Sequence, residues 1–124
     1  MTWQVKRIHD AAHEADGARF LVDRLWPRGV SKEKAALTAW LKPLSPSDEL
    51  RLRYHGATAD SDEAWQDFLR DYAAELASGD PAVMQALAAL DAARAAGPVT
   101  LLYAARNEER NNAVALRRWL DARG

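Results

Sequence analysis

Apolar and polar residues alternate over Trp3-Gln-Val-Lys-Arg-Ile8, the two-residue period of a strand. A polar stretch follows as far as Asp16-Gly17, a turn signal, and Ala18 to Asp23 reads as a second strand. The link between them is short for a parallel crossover, which favours an antiparallel first pair. Residues 33–44 carry Leu37, Trp40 and Leu41 without a clear period, predicting a short helix or irregular segment. Ser45-Pro46-Ser47-Asp48 is a helix start: a hydroxyl cap, proline in the first turn and acids near the positive end of the dipole. That helix would carry Leu50 and Leu52 and stop near Gly56.

Asp60-x-x-Glu63 has the form of a capping box. Behind it Trp65, Phe68, Leu69, Tyr72 and Leu76 recur at helical spacing up to Gly79, predicting one core-facing stripe. Trp40 is assigned to packing with them. Asp80-Pro81 restarts a helix that uses Val83, Met84, Leu87 and Leu90 and ends at Gly97-Pro98. Val99 to Tyr103 is wholly apolar but for Thr100, as expected at a sheet centre. Residues 104–110 form a polar turn, and Asn111 to Ala122 form a last helix with Val114, Leu116, Trp119 and Leu120. The pattern predicts one α/β domain over residues 1–124, a small, partly parallel or mixed sheet flanked by helices.

Composition narrows the chemistry. The chain of 124 residues has no cysteine, so it has no disulfide, thiol nucleophile or thiolate metal site. Together with the lack of a signal-like or membrane-length apolar run, this fits a cytoplasmic protein. The net charge of −1 speaks against a dedicated nucleic-acid binder. The charge is uneven: residues 24–55 hold seven Lys or Arg against three acids, a net +4. Residues 60–96 hold eight acids against two Arg, a net −6.

The basic segment coincides with Phe20-Leu-Val-Asp-Arg-Leu-Trp-Pro-Arg-Gly29, a strand that ends in charge. Open α/β sheets place their sites at such strand exits. Asp23 is a candidate general base, or a brace for Arg24. Arg24, Arg28 and Lys32 are candidate anion ligands, because guanidinium matches carboxylate and phosphate. Trp26 is either a stacking wall for a ring or a plug beneath the loop. His55 is a candidate acid–base residue or a helix C-cap.

If the strands ending at Asp23 and Tyr103 are parallel neighbours, then Asp23, Arg24 and Arg28 face Tyr103, Arg106, Asn111 and Asn112. A helix start opposite arginines is an anion pocket. Alternatively, Asn111 and Asn112 serve only as caps. His9, Asp10, His13 and Glu14 lack a third ligand at metal spacing, so no metal is expected, and no cofactor. The chain has neither G-x-x-x-x-G-K nor G-x-G-x-x-G.

Against this reading stands a resemblance. Asp16-Gly17, Leu21-Val-Asp-Arg-Leu-Trp-Pro-Arg-Gly29, Ser31-Lys32, Trp40-Leu-Lys42, Pro46-Ser47, Glu49-Leu-Arg51 and His55 carry its first half. Trp65, Phe68, Tyr72, Glu75-Leu76, Leu101-Leu-Tyr-Ala-Ala105 and Asn111-Asn-Ala113 carry the rest. With these residues the chain resembles the DUF488 family of small bacterial proteins, in its short YeaO-like branch. The resemblance implies no defined activity. Longer relatives place a cysteine after the last strand and a Cys-His-Arg near the last helix. Tyr103-Ala-Ala105 and Asn111-Asn112 stand in those regions here, so the resemblance carries over no thiol chemistry.

The expectation is an enzyme or binding protein for an anionic small molecule, aromatic if Trp26 stacks it. The rivals are a nucleic-acid module using the 24–55 face, or a regulatory protein that binds a partner there.

Overall fold

The sheet is built around its most apolar strand. A computed structural model describes residues 3–56 and 60–123. In it β4 (Val99–Tyr103) is buried along its whole length. It lies between β1 (Gln4–Arg7) and β2 (Ala18–Leu21), with β3 (Ala39–Trp40) at the far edge, in the order β1-β4-β2-β3. All three pairings are parallel, with Val5 opposite Leu101, Phe20 opposite Leu101 and Leu21 opposite Trp40.

The first two strands are therefore not an antiparallel pair. They flank β4 on opposite sides and run in the same direction. A four-residue strand is only about 13 Å long. Residues 8–17 can return over that distance without a full crossover helix, using one 3-10 turn at Glu14–Asp16. The loop is held to β1 by Lys6 Nζ, which donates to Ala11 O, and Gln4 Nε2, which donates to Ala15 O.

The two faces of the sheet are covered unequally. Phe20, Val22, Val99, Leu101 and Tyr103 point into the main core. There they meet α3 (Asp62–Leu76), α4 (Pro81–Ala96) and α5 (Asn112–Ala122). Leu21 and Leu102 point the other way, into a small cluster with Ile8 and Ala35 beneath α1 (Lys32–Ala35). On that thin side Arg19 is buried. It donates Nε and Nη2 to Ala35 O at 3.1 and 2.9 Å and Nη1 to Asp16. Burial works against the charge on Asp16, but hydrogen bonds from the His13 N–H, Lys6 and Arg19 outweigh it and hold the carboxyl below its ordinary range.

Local signals behave mostly as the sequence predicts. Ser47 caps α2 (Asp48–Tyr54), so Pro46 stands before the helix and not in its first turn, and Asp80 with Pro81 starts α4. Ser61 rather than Asp60 caps α3, accepting from the Ala64 N–H. The stripe Trp65, Phe68, Tyr72 and Leu76 is buried, and the Tyr72 hydroxyl donates to Leu44 O. Leu52 and Met84 do not join it; both are exposed. The segment 33–44 holds a strand that its sequence does not announce, because β3 is only two residues long. Trp40 on β3 is not a core residue: it is 37% exposed, meets Trp26 edge-on at 5.6 Å, and its Nε1 donates to Asp23 O.

Candidate functional site

Because β2 and β4 are parallel neighbours, their carboxyl ends share one edge. The start of α5 lies on the same edge. Asp23 joins the two: its Oδ2 accepts the Ala104 N–H at 2.9 Å and its Oδ1 accepts Asn112 Nδ2 at 2.9 Å. The same Asn112 Nδ2 donates to Val22 O at 2.6 Å. Asn111 is the helix cap, accepting the Val114 N–H with its side-chain oxygen. The two asparagines thus have different tasks. The first ends the turn and the second ties the helix start to strand β2.

Above this edge is a cavity of about 400 Å³, walled on the far side by α2 and closed beneath by α3. Its lining includes Asp23, Arg24, Trp26, His55, Asn111 and Asn112, all residues expected at the site. It also includes Leu50, Arg51, Tyr54, Trp65, Phe68 and Arg110, which strand-exit reasoning does not reach. A signal for Arg51 exists in helix periodicity. Once Leu50 is taken as the buried residue of α2, Tyr54 lies four residues on, and Arg51 and His55 repeat that spacing beside it.

Four expected residues are not brought to this cavity. Arg28 and Lys32 are exposed elsewhere, on the loop and on α1, and Arg106 is exposed after β4. The Tyr103 side chain turns into the main core, where burial pushes its hydroxyl pKa up. The loop geometry explains Arg28: Trp26 Nε1 donates to Val30 O at 2.7 Å, closing the turn with Pro27 buried and Arg28 and Gly29 at the surface.

The charges inside the cavity are unevenly satisfied. Arg24 Nε donates to Pro46 O at 3.1 Å and lies 3.7 Å from Asp48 Oδ1. Arg51 Nη2 lies 3.8 Å from the same oxygen, and Arg51 Nε is buried without any hydrogen-bond partner. Both arginines therefore share one carboxylate that is itself 69% exposed, a pairing worth little in water. Arg110 is paired with Asp62. His55, the C-cap residue of α2, is exposed at the cavity rim.

Burial pushes the Asp23 carboxyl above its ordinary range, and the hydrogen bonds from Asn112 and Ala104 oppose this only in part. An acid with a raised pKa binds its proton more tightly in the folded state than in the unfolded one. Asp23 therefore adds stability as pH falls from neutrality toward the ordinary aspartate value of about 4. Urea unfolding of wild type and Asp23→Asn should show their difference moving in favour of wild type as pH is lowered over this window. A difference that does not change with pH would mean that the carboxyl titrates normally.

His9 follows β1 on this same edge but does not line the cavity, and His13 lies in the loop before β2. His13 is the cap of the Glu14–Asp16 turn, and its Nδ1 accepts the Ala15 N–H. Among the described residues no three His, Cys, Asp or Glu side chains come together as a metal site. Among the same residues no helix is long and apolar enough to cross a membrane.

Fold and site together define a single-domain α/β protein with a cavity at the carboxyl edge of a parallel sheet, lined by arginine, asparagine and aromatic rings. The chain belongs to the DUF488 family: residues 2–123 match the family model described as the inactive DUF488-N3 subclade. It is 42% identical over 120 residues to the uncharacterized protein YeaO of Escherichia coli (strain K12), covering 97% of each chain. It is 34% identical over 120 residues to the uncharacterized protein Rv3073c of Mycobacterium tuberculosis, covering 97% of this chain and 94% of that one. No solved structure matches.

Proposed function

We propose that the protein binds a small anionic molecule with a flat apolar body in this cavity, and that it acts by binding rather than by catalysis. The observation that carries the reading is Arg51. It lines the cavity, has a buried Nε without an acceptor, and its ion pair is with the exposed Asp48 at 3.8 Å, while its charge also acts on Asp23. A buried donor left unmade costs about 1–3 kcal/mol, which a turn of the side chain that offers it to a ligand oxygen would recover. Arg24 stands beside it with its remaining N–H groups unbonded among the described residues. The rings of Tyr54, Trp65 and Phe68 supply the apolar wall.

Binding is preferred over catalysis for two reasons. Both oxygens of Asp23, the candidate base, already accept structural hydrogen bonds. The subclade that the chain matches is also described as inactive.

The test is thermal unfolding in phosphate, sulfate and chloride at matched ionic strength. Phosphate and sulfate should raise Tm above chloride, as a ligand selective for the native state must; at one hundred times Kd the gain is about 2.7 kcal/mol. Arg51→Gln should lose the difference, and Arg28→Ala, outside the cavity, should keep it. An equal response in wild type and Arg51→Gln would remove the cavity as the anion site. Steeply salt-dependent binding of oligonucleotides would support the nucleic-acid reading instead.

A further inference from the structure

A single carboxylate stands among the cations of the cavity. Of the residues that line it, Arg24, Arg51 and Arg110 are basic and Asp23 alone is acidic. The fold fixes Asp23 there: its two oxygens accept from the Ala104 N–H and from Asn112 Nδ2. Both donors are neutral, so they orient the carboxylate without cancelling its charge. The charges that act on it come from Arg51 on α2 and from His9 after β1. Arg24 is its neighbour in the chain. Arg110, in the turn before α5, is paired with Asp62, and His55 stands at the rim. From α3 the Tyr72 hydroxyl feels the Asp23 charge. Asp48, the carboxylate shared by Arg24 and Arg51, is exposed and does not line the cavity.

An anion entering this cavity meets Asp23 as a like charge. Arg51 acts on both, so the anion and the ionised carboxylate compete for one cation. A proton on Asp23 ends the competition. The neutral carboxyl keeps acceptor capacity for Ala104 and Asn112, so the strand ends and the helix start need not move. Burial already disfavours the charged form, which brings this protonation nearer to neutrality than for an ordinary aspartate.

We infer that anion binding in this cavity is coupled to the uptake of a proton by Asp23, so that occupancy of the site rises as pH falls. The inference rests on the anion-binding reading above and adds its regulation. The coupling is reciprocal: the factor by which the proton strengthens anion binding is the factor by which the anion strengthens proton binding.

The test is calorimetric titration with sulfate, a dianion throughout the range, at pH 8 and pH 5 and matched ionic strength. Sulfate should bind about tenfold more tightly at pH 5. Buffers of different ionisation enthalpy should report proton uptake at the pH values between. His9 and His55 also titrate in this range, so the decisive protein is the double variant His9→Gln/His55→Gln, changed at two exposed positions. It should keep the pH dependence and the proton uptake, and adding Asp23→Asn should abolish both. Arg51-dependent sulfate binding with one affinity at both pH values in the double variant overturns the coupling and leaves the anion site standing. Loss of the pH dependence in Asp48→Asn also overturns it, because the exposed carboxylate is then the competitor. No Arg51-dependent sulfate binding at either pH overturns the anion reading and the coupling with it. If Asp23→Asn does not fold, the double variant and Asp48→Asn decide.

Discussion

Gly17→Ala should lose about 3–5 kcal/mol of stability, a large share of what a domain of this size holds. Gly17 has φ 65° with ψ −137°, a combination that side chains avoid. A Cβ there would lie 2.1 Å from Pro98 O and 2.8 Å from Pro98 Cβ. Pro98 is not free to retreat, because its carbonyl accepts the Ala18 N–H at 3.0 Å where β2 joins β4. Strain and clash therefore fall together on the bond that opens the central ladder. Urea unfolding of the variant measures the loss. A cost below about 1 kcal/mol would show that the turn rebuilds without the ladder noticing.

The second large effect is expected at Phe68. Its ring stacks between Trp65 at 5.8 Å and Tyr72 at 5.6 Å and meets Tyr54 edge-on at 5.7 Å. It is 7% exposed. Phe68→Ala removes the ring that binds α2 to α3 and should cost about 3–5 kcal/mol, the transfer energy of the ring together with the void it leaves. The void would open into the candidate site, because Phe68 lines it. The stabilisation by phosphate should survive in the folded fraction, since Arg24 is anchored through Pro46 and not through this ring. Unfolding curves with and without phosphate separate the two effects. A loss below about 1 kcal/mol would mean that the stripe is exposed in solution and serves as a partner surface.

Much of the local structure is legible because it depends on neighbours in the chain. Serine and asparagine caps, the Asp80-Pro81 start and the Gly97-Pro98 stop are interactions within one turn, so their residues announce them. The central position of β4 is legible for a related reason. A strand apolar on both faces must be covered on both, and Leu101 and Leu102 do face separate cores. The meeting of Asp23 with Asn112 follows once β2 and β4 are parallel neighbours, because parallel strands end on the same edge.

Other features are set by distance in space. Loop length alone pointed to an antiparallel first pair, but strands this short allow ten residues to return past β4, so β1 and β2 flank it in parallel. The cluster of positive charge around residues 24–32 points to the region of the candidate site. Its membership was decided by which side chains the folded loop turns inward: Arg24 enters and Arg28 does not. Arg51, the residue on which the proposed function rests, comes from a different helix. Charge along a chain reports composition, whereas a site is a convergence of directions. The sequence by itself determined the longer helices, the central strand and the edge where the candidate site lies. The tertiary structure decided strand order and which arginines face the cavity, because both depend on packing between segments far apart in the chain.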